Sequence, residues 1–149
     1  MKISVQKQDF DVSKEYQYLI QNNQEDGALS MFVGRVRNRN EASDVRSLEL
    51  EHYPEMTQRS LSNIAIQAKQ KWPIGKVSII HRFGKLTLGE QIVFVGVTSA
   101  HREAAYQANQ FIMDFLKTRA PFWKKETRST GDVWIDANEK DKKAALKWE

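Results

Sequence analysis

A lysine-rich segment near the end of the chain carries the residues best suited to acid–base chemistry. It runs from Leu116 to Glu126 and reads Leu-Lys-Thr-Arg-Ala-Pro-Phe-Trp-Lys-Lys-Glu. Pro121 is predicted to end the helix before it, since proline disfavours the helical conformation of the preceding residue. Lys117 would then lie in the last helical turn, and Lys124 in an extended stretch. Such lysines could hold an anion in a partly dry pocket and exchange protons there. The alternative is a basic helix end beside core aromatics.

The charge around these lysines is one-sided. Lys125 follows Lys124 in the predicted extended stretch and should therefore point to the opposite side. This region contains a single acidic residue, Glu126, and five cationic ones, which are Lys117, Arg119, Lys124, Lys125 and Arg128. This imbalance favours a small anionic ligand over a long polyanion.

Two arginines at the end of a predicted strand form a second candidate anion site. Arg35 and Arg37 lie two residues apart in Gly34-Arg35-Val36-Arg37-Asn38. Side chains at this spacing share one face of a strand, so the pair could clamp a phosphate or a carboxylate. A solvated strand end is the alternative interpretation.

The segment Ser99-Ala100-His101-Arg102 lies where a buried strand is predicted to turn into a helix. The first amide groups of a helix lack partners and carry partial positive charge, so an anion is stabilised there. His101 and Arg102 would add to this, and Ser99 is predicted to cap the helix. The alternative has Arg102 facing solvent and His101 capping.

The remaining titratable residues are interpreted as structural. His52, His81 and Arg82 fall inside predicted strands, where a lone histidine is usually a hydrogen-bonded core or edge residue. Glu49 and Glu51 alternate with leucines and therefore form a solvent face rather than a catalytic pair.

Composition excludes several classes of protein. The 149 residues fit one domain, and 40% hydrophobic with 28% charged residues is ordinary for a globular chain. No cysteine is present, which excludes disulfides, thiolate metal sites and a cysteine nucleophile. With three histidines, none paired four residues apart, we expect no metal. The net charge of +4 is mild for a nucleic-acid binder, and no apolar run could span a membrane. We expect a cytoplasmic protein.

Hydrophobic periodicity predicts alternating pairs of strands and helices. Strands are predicted at Met1–Gln6, Gly27–Arg37, Val45–Tyr53, Lys76–Phe83, Ile92–Val97 and Val133–Ile135, with a short hairpin-like stretch between Gly84 and Gly89. Helices are predicted at Val12–Gln21, from Pro54 to Trp72, at His101–Thr118 and in the charged C-terminal tail. This order indicates a single α+β domain over residues 1–149, with a mostly antiparallel sheet and inserted helices.

Five segments together resemble the catalytic (large) subunit of molybdopterin synthase, over nearly the whole chain. They are Phe32–Asn38, Leu50–Met56, His81–Gly84, Ser99–Arg102 and Leu116–Glu126. The departures are small: the loop from Asn38 to Asp44 lacks a glycine that many relatives carry, and Phe122 replaces a common isoleucine. The resemblance implies an α/β-hammerhead-like fold.

The resemblance also implies a sulfurtransferase of molybdenum cofactor biosynthesis. Such enzymes convert cyclic pyranopterin monophosphate into molybdopterin by installing two sulfurs as a dithiolene. The sulfur comes from the C-terminal thiocarboxylate of a small ubiquitin-like carrier subunit, which would explain a sulfurtransferase without cysteine or cofactor. A homodimer within a heterotetramer is implied, without nucleic acid or membrane.

Site roles follow by position from the same resemblance. Lys117 and Lys124 are the expected catalytic residues, as general acid/base and charge-stabilising group. The expected substrate-binding residues are Arg35, Val36, Arg37, His101, Arg102, Lys117, Lys124, Lys125 and Glu126. Part of this anion site is expected to come from the neighbouring subunit of the dimer.

Two other functions fit parts of the sequence. An RNA-binding module could stack bases on Phe122-Trp123-Lys124-Lys125 and would bind single strands in a salt-dependent way. A non-catalytic scaffold could have kept the fold and the carrier-binding groove, although a chain without activity would be expected to have lost one or more of the proposed site residues.

Overall fold

Eight strands and four helices are formed within the residues that the computed structural model describes, which are 1–38, 45–120, 122–128, 131–135 and 139–149. The order is β1 (Lys2–Gln6), α1 (Val12–Ile20), β2 (Ala28–Arg35), β3 (Val45–His52), α2 (Pro54–Lys71), β4 (Ile74–Arg82), β5 (Gly84–Thr87), β6 (Gln91–Ser99), α3 (Arg102–Thr118), β7 (Phe122–Arg128), β8 (Gly131–Ile135) and α4 (Glu139–Leu146). The α+β class is confirmed. The predicted helix break at Pro121 and residues 39–44 of the predicted loop lie outside the described residues.

The first sheet, called sheet A, has the strand order β1-β4-β6-β2. β1 and β4 are parallel, whereas β4 and β2 each pair antiparallel with β6. The apolar run in β6 predicts a central strand covered on both faces, and this is confirmed, because all seven residues from Val93 to Ser99 are buried.

Helices cover both faces of sheet A. Successive residues of a strand point to opposite faces, so Ile79 packs with α2 and α3 while Ile80 packs with Leu19 of α1. The larger core lies on the α2/α3 side and includes Leu61 and Ile64 of α2 and Phe111 and Ile112 of α3.

Polar contacts fix α3 against sheet A. The side-chain amide of Asn109 donates to the backbone oxygens of Ser30, at 3.3 Å, and Val95, at 3.1 Å. The hydroxyl of Ser30 donates to the backbone oxygen of Ala105 at 2.8 Å. Because α3 is held at its middle by buried hydrogen bonds, the position of its last turn is set by the sheet.

The second sheet, called sheet B, has the order β5-β3-β7-β8 and is antiparallel throughout. Leu48 and Leu50 of β3 are buried on its inner face, as predicted, and Glu49 and Glu51 alternate with them on the outer face. In the pairing of β3 with β7, Leu50 lies opposite Lys124 and Leu48 lies opposite Glu126. The inner face of β7 therefore carries Lys124 and Glu126.

The predicted cap of α3 is wrong. The hydroxyl of Ser99 donates to the backbone oxygen of Pro73 at 2.8 Å, and the residue before the helix is His101, whose side chain makes no capping bond. Ser99 is the last residue of the central strand, so its hydroxyl is used to join two parts of the core rather than to cap the helix.

Candidate functional site

A cavity of about 510 Å³ opens between the C-terminal end of α3, the end of β2 and the inner face of sheet B. Its apolar wall includes Phe32, Met113, Leu116, Leu48 and Leu50. An apolar wall with a few charged groups is the usual make-up of a small-molecule site.

Lys117 and Lys124 both line this cavity, although they come from different elements. Lys117 lies in the last turn of α3, as predicted, and follows Phe115 and Leu116, which are buried. Lys124 lies on the inner face of β7, opposite Leu50. Two ammonium groups, one carried by a helix and one by the following strand, thus line the same cavity.

Glu126 lies beside Lys124 on the inner face of β7 and also lines the cavity. Its side chain is buried, and its Oε2 atom forms an ion pair with Nη2 of Arg128 at 2.8 Å. A buried carboxylate held by a guanidinium is oriented as well as charged. Glu126 is therefore a fixed hydrogen-bond acceptor beside the cationic side chains of the cavity.

Lys125 lies on the opposite face of β7, as the alternation predicts. Its ammonium forms an ion pair with Glu49 at 3.3 Å and lies 5.6 Å from the ring centre of Trp134. The structure does not bring Lys125 to the cavity with Lys117 and Lys124.

Arg35, Val36 and Arg37 line the cavity at the end of β2. The side chain of Val36 is buried, and its backbone is held by Gly89 and Glu90, at 2.8 Å and 2.9 Å. Nε of Arg35 donates to the backbone oxygen of Gly89 at 3.0 Å. Both arginines are exposed residues, but β2 ends at Arg35 with a register shift between Gly34 and Arg35, so Arg37 lies outside the strand on which the predicted clamp depends. The common clamp for a phosphate or carboxylate therefore stays a prediction.

His101 and Arg102 lie at the other end of α3. With a rise of about 1.5 Å per residue, the helix places Arg102 about 22 Å from Lys117. Arg102 lines a separate, smaller cavity of about 240 Å³ together with Ser30, Ala105 and Tyr106. Within one chain, the two predicted anion sites are therefore separate.

His81 is a cavity residue that sequence reasoning assigned a purely structural role. It is buried, lines the cavity, and its ring stacks on that of Phe122, with centres 3.8 Å apart. Burial lowers the pKa of His81 to about 4, and the charges of Lys124 and Lys117 act in the same direction. In the sequence, the one indication that His81 belongs to the site is that His81–Gly84 is among the segments that resemble the family.

The electrostatic character of the cavity suits an anion. Four cationic side chains line it, Arg35, Arg37, Lys117 and Lys124, against two carboxylates, Glu126 and Asp141. In the described ranges, no three histidine or carboxylate side chains come together as a metal site would need. Nor does any described helix have the length and apolar character to cross a membrane.

Comparison with known proteins identifies the family. The family model described as MoaE protein matches residues 5–119. The molybdopterin synthase catalytic subunit of Escherichia coli strain K12 is 53% identical over 147 residues, covering 99% of this chain and 97% of the relative.

Solved structures share the fold. A molybdopterin biosynthesis MoaE protein from Burkholderia ambifaria superimposes with a TM-score of 0.83 at 44% identity, covering 99% of this chain and 97% of that chain. A complex of subunits 1 and 2 of molybdopterin-converting factor from Helicobacter pylori gives a TM-score of 0.72 over 92% of this chain and 90% of that chain. At 18% identity, the second likeness concerns the fold alone.

Proposed function

Because the chain belongs to the MoaE protein family of molybdopterin synthase catalytic subunits, we propose that it converts cyclic pyranopterin monophosphate into molybdopterin. The observation that carries this proposal is the convergence of Lys117 and Lys124 on one cavity with Arg35 and Arg37. Two lysines supply proton transfer and charge stabilisation, and two arginines suit the phosphate of the substrate.

The sulfur donor is the C-terminal thiocarboxylate of a small ubiquitin-like carrier subunit. Each transfer forms a carbon–sulfur bond to the pterin side chain, from which an oxygen substituent leaves. Water then cleaves the bond between the carrier's acyl carbon and the sulfur, so the carrier departs as a carboxylate. Two such transfers give the dithiolene, and no oxidant or reductant is consumed.

Lys117 and Lys124 have complementary roles in these steps. Lys117 acts as general acid/base, giving a proton to the leaving oxygen and taking one from the attacking water. Lys124 stabilises the negative charge that develops on oxygen as the acyl carbon becomes tetrahedral. Lys117 lines the cavity from α3 and Lys124 lines it from β7, so both can act on a substrate bound in the cavity.

The phosphate and pterin are held by the remaining cavity residues. Arg35 and Arg37 bind the phosphate, and Glu126 accepts hydrogen bonds from the pterin. His101 and Arg102 complete the anion site from the neighbouring subunit of a homodimer, because their own subunit holds them about 22 Å from Lys117. A cytoplasmic location belongs to the same proposal, since a cysteine-free chain needs no oxidising compartment.

The RNA-binding alternative fits the structure less well. The ring of Phe122 is stacked on His81 and lies 5.8 Å from that of His52, so it is engaged within the protein rather than free to stack on a base. Lys124 and Lys125 point to opposite faces of β7 and do not form one basic track.

A reconstituted reaction tests the proposal. The protein is mixed with a thiocarboxylated carrier subunit and cyclic pyranopterin monophosphate, and molybdopterin is measured as its fluorescent oxidation product. We expect product from the unaltered protein and a loss of about 10²- to 10⁴-fold with Lys117→Ala. Lys69→Ala, which removes an exposed lysine of α2, is the matched control and should leave the rate unchanged. Undiminished transfer by a folded Lys117→Ala variant would refute the role of Lys117, and no product from the unaltered protein would refute the function.

A further inference from the structure

His81 presents a hydrogen-bond acceptor to the cavity. Its Nδ1 atom lies 2.8 Å from the backbone oxygen of Arg82. A carbonyl oxygen can only accept, so Nδ1 must carry the hydrogen of the neutral ring. Nε2 therefore has a lone pair and no proton. The tautomer of His81 is set by its own neighbouring backbone.

Nε2 of His81 forms no hydrogen bond within the described part of the chain. It is not fully buried either, because the only fully buried side-chain polar atom without a partner among the described residues is the hydroxyl of Ser78. Nε2 thus keeps contact with the cavity that the ring lines. The charged groups around that cavity come from several elements and comprise Arg35, Arg37, Lys117, Lys124, Glu126 and Asp141.

The ring of His81 is held next to the strand that carries Lys124. It stacks on Phe122 with 18° between the ring planes. Phe122 and Lys124 are two residues apart on the inner face of β7, a separation of about 7 Å along a strand, which the lysine side chain can span. Of the two cavity lysines, Lys124 has the larger electrostatic effect on the ring.

We propose that His81 is a positioning residue, whose Nε2 atom accepts a hydrogen bond from the ammonium group of Lys124 and directs it toward the centre of the cavity. A neutral acceptor suits this task better than a carboxylate, because it orients the ammonium without cancelling its charge. This inference rests on the proposed function, in which Lys124 stabilises negative charge during sulfur transfer.

Three substitutions separate the acceptor from the other features of His81. His81→Phe keeps a ring on Phe122 but removes both nitrogens. His81→Gln carries an amide whose oxygen can reach the position of Nε2, whereas the shorter side chain of His81→Asn reaches only that of Nδ1. The Asn variant can therefore keep the bond to the carbonyl of Arg82 without the acceptor.

The first measurement is the rate at which acetic anhydride acylates Lys124, followed by peptide mass spectrometry. Loss of the acceptor destabilises the ammonium and frees the amine, so acylation of Lys124 should rise between about 2- and 10-fold in His81→Phe and His81→Asn. His81→Gln should remain near the unaltered protein. Lys125, on the outer face of the same strand, is the internal control and should not change.

The second measurement is turnover by the complete complex of each variant. Its rate should fall with His81→Phe and His81→Asn and be partly restored by His81→Gln, with carrier binding unchanged in all three. The role of His81 would be overturned if the acylation rate of Lys124 relative to that of Lys125 were unchanged in a folded His81→Phe variant. It would also be overturned if His81→Asn restored turnover better than His81→Gln. Failure of the unaltered complex to form product would instead refute the proposed function. The relative acylation rates of Lys124 and Lys125 would still test the hydrogen bond between His81 and Lys124.

Discussion

The rings of His81 and Phe122 lie 3.8 Å apart with 18° between their planes, and this stack joins the two sheets of the protein. His81 belongs to β4 of sheet A and Phe122 begins β7 of sheet B. Because Lys124 follows Phe122 on the same face of β7, the stack also sets where one cavity lysine lies relative to the other. The contact thus links the stability of the fold with the geometry of the site.

Acid should destabilise the protein through His81. Its pKa is about 4 in the folded protein against 6.5 for an ordinary histidine, because burial disfavours the charged ring. Between these values the unfolded chain binds a proton that the folded protein does not. The contribution of neutral, buried His81 to stability is therefore fully present above pH 6.5. It is lost as the pH falls toward 4, which lowers the free energy of unfolding by about 3 kcal/mol.

Urea unfolding of the unaltered protein and of His81→Phe, each at pH 7.5 and pH 4.5, measures this contribution. The variant should show a smaller decrease in the free energy of unfolding between the two pH values. Asp9 and Glu90 also have lowered pKa values, chiefly from hydrogen bonds of Gln91 and of the Thr87 backbone, and they act equally in both proteins. An identical decrease in the two proteins would contradict the assignment.

Lys124→Ala and Lys125→Ala should have very different effects, although the residues are adjacent. Lys124 faces the cavity, and its removal should lower turnover by about 10²-fold or more because a charge-stabilising group is lost. Lys125 contacts Glu49 and Trp134 on the outer face, so its removal should change the free energy of unfolding by less than about 1 kcal/mol and leave turnover within about twofold. Equal losses in turnover would show that the outer face of β7 also takes part in the reaction.

The C-terminal segment should be released when Asp114 is replaced. Nε1 of Trp148 donates to Oδ2 of Asp114 at 2.7 Å, and the Trp148 ring packs on Trp72 and Phe111. Asp114→Ala leaves the indole N–H unpaired and should lower the free energy of unfolding by about 1–3 kcal/mol. Limited proteolysis should then cut within residues 139–149 sooner. Tyr106→Ala, at an exposed position of the same helix, is the control.

Mixed dimers should reveal a site shared between subunits. Lys117→Ala and Arg102→Ala are each expected to be nearly inactive alone. After the two variants are unfolded and refolded together, half of the dimers should contain one intact site. Turnover should then recover to about a quarter of that of the unaltered protein. No recovery, with mixed dimers verified by mass, would show that Arg102 does not complete the neighbouring site.

Most of the secondary structure follows from local sequence. The apolar run of β6 requires burial on both faces, and Pro54 suits the first turn of α2, where its missing amide hydrogen costs nothing. Alternation alone places Lys124 and Lys125 on opposite faces of β7. These features depend on the period of a helix or a strand, so they can be predicted without knowledge of the rest of the chain.

Only the tertiary structure decided how the site residues are grouped. A histidine within a strand gives no indication of which side chains from another sheet will face it, so the contacts of His81 with Phe122 and the cavity were not predictable from local pattern. The sequence predicts that Arg102 and Lys117 lie at opposite ends of one helix, but it does not show that only the Lys117 end lines the cavity. Local periodicity determines which face a residue lies on, whereas the packing of sheet A, α3 and sheet B determines which faces meet.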